Sequence, residues 1–339
     1  MIAGSTLPKS QCPVCYSDHA MILHDFTAEE AAQHFICRES NPTRNTELAA
    51  HIEALWGSRH CKVRQCLVCG FGFSDPYVAG DVRFYNLAAE RSFYGNERWE
   101  FTRTVKELVD MNFNAKRVLE IGAGFGSFLD KIVGVHVPPS GVVALEFGEK
   151  AISVLRGKGY KATREDLRNA ELDPGFDAIF MFQVLEHMGD LDGLFSRVHS
   201  LLRGGGLFFA SVPNANSIRF AEENGSLLDM PPNHIGRWSE LALKTVGEKH
   251  RLQLVGFETE PFSIKQFVKT DVSYSYLRAA QEKGTIANWS RSRRSTRYGK
   301  LLAAAVAAAS APRRLNVWRR AAKLRIGGAL WAKYQKAEI

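Results

Sequence analysis

The sequence predicts an α/β protein: a doubly wound parallel sheet covered by helices, with a small cysteine-rich zinc-ribbon module in front and a basic, partly helical tail behind. Three observations carry this. Four short apolar runs, RVLEIG (from Arg117), VVALEF (from Val142), FDAIFMF (from Phe176) and GLFFASVP (from Gly206), alternate with helix-length segments, as buried parallel strands do when crossover helices join them. Two C-x-x-C pairs stand near the start. The positive charge gathers at the end: from Gly284 onward there are 13 Lys and Arg against one acid, and before it 31 against 35.

With 339 residues, 45% hydrophobic and 24% charged, the chain can hold two domains of ordinary globular composition. No run of eighteen apolar residues occurs, and MIAGSTLPKSQCPVC lacks a basic start and apolar stretch. The expectation is a cytoplasmic protein, and in a reducing compartment paired cysteines point to metal or redox chemistry rather than disulfides.

Residues 1–80 contain all six cysteines. Cys12-Pro13-Val14-Cys15 and Cys66-Leu67-Val68-Cys69-Gly70 have the form of two zinc knuckles, in which a tight turn aims both thiolates of a pair at one ion. Four thiolates close a tetrahedral site, so the expected Zn2+ is structural; Cys37, Cys61, His19 and His60 are the alternative ligands. A thioredoxin-like pair would need a βαβ context absent here. DNA binding is disfavoured because no His pair follows at finger spacing. Ala28 to Leu55 reads as a helical insertion, and the module is expected to have its own core. Residues 81–115 carry aromatics at helical intervals and read as linker helices.

Residues 116–269 form the main domain. Val118-Leu119-Glu120-Ile121-Gly122-Ala123-Gly124-Phe125-Gly126 reads as a buried strand ending in a glycine turn that opens a helix near Ser127. Glycines let the backbone turn sharply and approach a ligand, and a helix N-terminus offers unpaired N–H groups. Such a loop serves several nucleotide cofactors. Here Ser127 stands where a dinucleotide fingerprint wants its third glycine. Glu120, two residues before the first glycine, is placed to hold the cationic amino group of a methionine moiety, and Glu146, at the end of VVALEF, to accept both ribose hydroxyls. Together these favour S-adenosylmethionine over NAD.

Lys116 to about Phe262 resembles a class I S-adenosylmethionine-dependent methyltransferase of Rossmann-like fold, the resemblance continuing through FDAIFMFQVLEHMGDLDGLFSRVHSLLRGGGLFFASVPN. The family's usual Pro-Gly-Gly turn is here Gly204-Gly205-Gly206. The resemblance implies that Glu120, Gly122, Ala123 and Gly124 meet the methionine end, Glu146 the ribose and Phe147 one adenine face. It also puts Asp166 near the adenine amino group and Gln183 in the methionine pocket. The order of zinc module, linker and methyltransferase domain resembles bacterial sugar C- and O-methyltransferases, whose larger C-terminal domain has no visible counterpart here. The implied acceptor is a small molecule, a sugar that is nucleotide-linked or glycan- or lipid-linked. The alternatives are a quinone-type O-methyltransferase, which shares the VLEH-like segment, and a non-catalytic S-adenosylmethionine-binding zinc protein.

Methyl transfer requires alignment and, for a hydroxyl or an activated carbon, a base. His187 in VLEHM and His234 in MPPNHIGRWS both fall after strands, at the carboxyl edge where open α/β sheets bind ligands. Each has a structural alternative, pinning a loop through a backbone hydrogen bond. Glu186 could orient either ring, Pro213-Asn214 is expected to shape the acceptor mouth, and Arg237 and Trp238 are candidates to line it. Residues 270–339 interleave Trp318, Leu324, Ile326, Leu330 and Trp331 with Lys and Arg, the pattern of a helix lying on an anionic membrane. A solvated extension and RNA binding are the rivals, and nucleic acid is disfavoured.

Overall fold

The computed structural model describes residues 11–36, 38, 41–88, 97–224, 229–279, 284–291 and 297–338. The N-terminal module opens with β1 (Ala20–Thr27), after which Thr27 starts α1 (Ala28–Phe35) through a capping box with Glu30. Asn41 caps α2 (Pro42–Trp56), whose first residue is the proline that position tolerates best. β2 (His60–Cys66) and β3 (Gly72–Asp75) complete the antiparallel strands, and α3 (Val82–Ala88) returns Phe84 to a cluster with Ala31, Leu48, Ile52 and Trp56. The expected helical insertion is thus a helix pair. Cys37 lies outside the described residues.

After α4 (Trp99–Asp110) come β4 (Val118–Ile121), α5 (Leu129–Ile132), β5 (Val142–Leu145), α6 (Glu149–Gly157), β6 (Lys161–Thr163), β7 (Phe176–Phe182), α7 (Leu191–Leu201) and β8 (Leu202–Pro213). The chain continues through α8 (Ala215–Glu223), β9 (Gly236–Arg237), α9 (Glu240–Lys249), β10 (Leu252–Thr259), α10 (Ile264–Ala279), α11 (Ile286–Arg291), α12 (Arg297–Leu324) and β11 (Ala329–Lys336). The helix expected to open at Ser127 is the short α5.

The seven-stranded sheet runs β10-β11-β8-β7-β4-β5-β6. β4 to β8 are parallel, and β11 is antiparallel to both of its neighbours. Alternate strand residues feed two cores. Leu119, Val143, Ile179 and Phe208 pack toward α7 and α9, whereas Val118, Val142, Phe180 and Phe209 pack toward α4 and α6. The chain leaves β4 for β5 on one side and reaches β7 on the other, so the switch point where such sheets bind ligands lies at the carboxyl ends of β4 and β7.

Two expectations are corrected here. The domain does not end at 269, nor is everything from 270 a tail, because β11 is a central strand whose Leu330 and Trp331 are buried rather than turned to a membrane. Trp331 Nε1 donates to Thr104 Oγ1 at 2.8 Å, and the Arg103 guanidinium lies 4.3 Å from its ring. Gly327-Gly328 ends the helical region, and two-sided burial then selects strand. Residues 260–328 are therefore an excursion between paired strands β10 and β11. The second correction concerns the module, whose helix pair keeps a cluster of its own while the part that carries the knuckles shares the core of the main domain. β9 pairs with β3, and Val14, Phe71 and Phe73 belong to the same buried cluster as Phe195, Trp238 and Tyr334 of the main domain.

Candidate active site

A cavity of about 1850 Å3 opens along the carboxyl edge of the sheet. One end is the glycine loop. The other is walled by Phe35, Phe84 and Tyr85 of the N-terminal module and by Glu260, Gln266 and Gly328 of the excursion. Acids dominate the lining: Asp81, Glu97, Glu100, Glu186, Asp229 and Glu260 stand against Arg98 and Arg168, the only Lys or Arg among the described lining residues.

At the loop, Gly122, Gly124 and Gly126 have φ of 72°, 54° and 80°, a region costly for other residues. A Cβ on Gly122 would also sit 2.4 Å from Val184 Cγ2. Gly124 N–H donates to Glu146 Oε2 at 2.8 Å, while Phe147 and Gly148 N–H donate to Glu146 Oε1 at 2.8 and 2.9 Å. Oε1 has thereby used both lone pairs and Oε2 keeps one open, a narrower capacity than the two ribose hydroxyls expected of Glu146. Glu120 is buried with Oε2 unpartnered. Burial, followed by the Glu146 and Asp130 charges, raises its carboxyl well above the usual range. An ammonium group of a bound ligand would satisfy that oxygen.

Phe147 is half-exposed and Ala123 buried, both on the cavity wall. Asp166 also faces the cavity but is held by Arg168: the backbone N–H donates to Oδ1 at 2.9 Å, Nε to Oδ1 at 2.7 Å and Nη2 to Oδ2 at 2.6 Å. Burial opposes its charge, yet Arg168 holds the carboxyl below its usual range. Gln183 sits at the end of β7 with φ 56°, a strained value for a non-glycine residue, and its Nε2 donates to Ser211 Oγ at 3.3 Å. The donor set and the glycine cradle fit S-adenosylmethionine.

Farther along the wall, His187 and His234 meet edge to face, with ring centroids 4.6 Å apart. His187 Nδ1 lies 2.6 Å from the Asn233 carbonyl and 3.0 Å from Tyr85 Oη, so its proton is committed to the backbone. Burial and then the nearby His234 push His187 down to about 3. His234 Nδ1 lies 2.9 Å from Asp229 Oδ1, a charge contact whose angle falls short of a hydrogen bond. Burial opposes a charge on His234, but the Asp229 carboxylate and Glu186 outweigh it and raise its value. Glu186 is buried with Oε2 unpartnered, and burial pushes it up to about 7. Sequence reasoning missed Asp229, five residues before His234 in the same loop, and Tyr85.

Other expected lining residues are elsewhere. Trp238 is core, packed on Phe71 at 4.6 Å, and buried Arg237 is paired with Glu222 at 2.6 Å. Neither lines the cavity, because β9 carries them toward β3. Pro213-Asn214 does not line it either; the Asn214 backbone N–H and Nδ2 donate to the Gly328 and Gly327 carbonyls, both at 2.9 Å, anchoring the excursion.

The sulfurs of Cys12, Cys15, Cys66 and Cys69 lie within 4.8 Å of one another, the Cys12–Cys69 and Cys15–Cys66 pairs at 3.6 and 3.5 Å. A tetrahedron with Zn–S bonds of about 2.3 Å has edges of about 3.8 Å, so the cluster fits zinc. The two knuckles are the same turn. Tyr16 N–H reaches the Cys12 carbonyl at 2.8 Å with φ 60°, and Gly70 N–H reaches the Cys66 carbonyl at 3.1 Å with φ 72°. Sharing a proton with Cys69 is the main reason the Cys12 thiol falls to about 6 while that of Cys69 rises. The alternative ligands stand apart: Cys61 packs in the helical cluster, His19 beside Asp18 and His60 beside Asp25.

Residues 94–257 match the methyltransferase domain family described as Methyltransf_23. A ubiquinone biosynthesis O-methyltransferase from Azotobacter vinelandii is 25% identical over 185 residues, covering 48% of this chain and 76% of that protein. A protein from Mycolicibacterium smegmatis, named "probable S-adenosylmethionine-dependent methyltransferase", is 28% identical over 184 residues, covering 51% of this chain and 66% of that one. Among solved structures, the N-methyltransferase NodS from Bradyrhizobium japonicum, in complex with S-adenosylhomocysteine, aligns with TM-score 0.41 and 15% identity over 72% of this chain and 88% of its own. The matched segment, just under half of the chain, contains the glycine loop and its two acids, and the matches support an S-adenosylmethionine-dependent methyltransferase enzyme.

Proposed function

We propose that the enzyme methylates an oxygen or carbon of a hydroxylated small molecule, best read as a sugar, and that His234 is the base. The Asp229–His234 pair in the cavity wall carries this reading. Bound S-adenosylmethionine supplies an electrophilic methyl group. Glu120 would hold its ammonium, Glu146 its ribose, Phe147 and Asp166 its adenine, and Gly122, Ala123, Gly124 and Gln183 its methionine end.

Asp229 lies against the ring of His234 and compensates the imidazolium that forms when the ring takes a proton. That leaves Nε2 for the acceptor. His187, kept neutral and pinned to Asn233, is read as a positioning residue beside it. Hydroxyls donate to carboxylates, so the acid-rich wall suits a polyol and repels phosphate near the reacting atom. The diphosphate of a nucleotide-linked sugar would have to stay outside, which favours a glycan- or lipid-linked one.

A quinone-type acceptor is the second reading, supported by the aromatic wall of Phe35, Phe84, Tyr85 and Trp99 and by the name of the Azotobacter relative. Zinc is assigned to Cys12, Cys15, Cys66 and Cys69, where four thiolates leave no open position and the role is structural. The thiol chemistry suits a reducing compartment such as the cytoplasm. No helix among the described residues is long and apolar enough to cross a membrane.

Incubation with methyl-labelled S-adenosylmethionine and a cell extract, followed by mass spectrometry, identifies acceptor and atom together. A labelled sugar supports the reading, a labelled quinone precursor replaces it with the second, and cofactor binding without transfer leaves a non-catalytic binding protein.

A further inference from the structure

The excursion between β10 and β11 leaves and rejoins the sheet at its carboxyl edge. Thr259 of β10 is paired with Leu330 and Ala329 of β11 with Pro213 at the end of β8, so the helices of residues 264–328 stand at the rim of the cavity, where Gln266 and Gly328 line it. Their composition differs sharply from the rest. Residues 264–328 contain 15 Lys and Arg against two acids, and the remainder 29 against 34.

α12 is two-faced over its last turns. Val317, Trp318 and Ala321 turn inward with Arg314, and Asp271 of α10 binds both Arg314 Nε at 3.0 Å and Trp318 Nε1 at 2.7 Å. That face is occupied, and Trp318 points inward instead of toward a membrane. On the opposite face Leu315, Arg319, Arg320, Lys323 and Leu324 are all exposed. Ile264, Ile286, Trp289 and Leu301 of the same excursion are exposed as well. Exposed aliphatic side chains among long basic ones match a bilayer interface, where the hydrocarbon enters the headgroup layer and the cations reach phosphates. Nucleic acid would draw on the same charge but makes little use of leucine and isoleucine.

We infer that this outer face docks the enzyme on an anionic lipid surface, bringing the carboxyl edge of the sheet to the membrane. Combined with the acceptor reading above, on which this clause alone rests, a lipid-anchored acceptor would enter the cavity without leaving the bilayer.

Co-sedimentation of the full chain tests the docking. Vesicles of phosphatidylcholine with about one third phosphatidylglycerol should pellet the protein at low salt, pure phosphatidylcholine should not, and high salt should release it. Arg319→Glu/Lys323→Glu, which leaves the inner face intact, should weaken sedimentation about ten-fold or more while S-adenosylhomocysteine binding by calorimetry stays unchanged. Failure of the wild type to pellet with anionic vesicles, pelleting of the double variant like wild type, or binding of RNA in place of vesicles would each overturn the inference. Loss of cofactor binding in the wild type would instead count against the methyltransferase reading.

Discussion

Asp229 Oδ1 lies 2.9 Å from His234 Nδ1 within one loop of the cavity wall, and this pair distinguishes the surroundings of two histidines that the sequence leaves equal. His187 is burdened by burial and by His234, whereas His234 has a carboxylate to balance its charge.

His234 titrates above its ordinary value, so the base should become active as pH rises through that raised value. In Asp229→Asn burial prevails, and the rising limb of kcat/KM against pH should move to lower pH with a weaker plateau. The same pair makes a stability contribution that is complete below the unfolded histidine value of about 6.5 and is lost as pH rises through the folded value. Coincident limbs in wild type and variant would remove Asp229 from the mechanism.

Glu146→Ala should weaken cofactor binding by roughly 1–3 kcal/mol through the lost ribose contact, with a further loss because the Gly124, Phe147 and Gly148 N–H groups lose their acceptor. Gly124→Val should abolish it, since φ of 54° is unfavourable for a β-branched residue. Calorimetry with S-adenosylmethionine and NAD reads both, and heat from NAD alone would refute the cofactor assignment.

Cys66→Ala or chelation should disturb both parts of the molecule. Cys66, Cys69 and Phe71 share a core with Phe195 and Trp238, and Tyr77 Oη donates to the Met188 carbonyl at 3.1 Å, next to His187. The expected result is a single lowered thermal transition with impaired cofactor binding. Retention of wild-type binding by a protein with an unfolded N-terminus would restore the idea of separate cores.

Trp331→Ala should cost about 3–5 kcal/mol in denaturant unfolding, because the fully buried indole fills the helix-facing core and donates to Thr104. A chain ending at Gln281 lacks β11 and should not fold. A stable truncated enzyme would contradict the place of β11 in the sheet.

These relationships differ in how far the sequence reveals them. β4, β5, β7 and β8 are legible because strands buried on both faces read as apolar runs, and the glycine loop is legible because glycine adopts positive φ without strain. The paired knuckles are local turns and equally plain. β11 is hidden because Lys333 and Lys336 lie along it and make ALWAKYQK look like more of the basic region. Its Gly-Gly start was the available signal. The shared core is invisible because Phe71 and Trp238 meet across more than 160 residues of chain. Asp229 lacks a motif, and only the folded loop shows what it touches.

Transfer of labelled methyl from S-adenosylmethionine by wild type and His234→Ala, with cofactor binding measured on the same samples, tests the central claim most directly. The account predicts that both proteins bind the cofactor alike and that the variant transfers roughly 10²–10⁴-fold more slowly. Equal transfer rates in the two proteins, or a wild type that binds no S-adenosylmethionine, would contradict it.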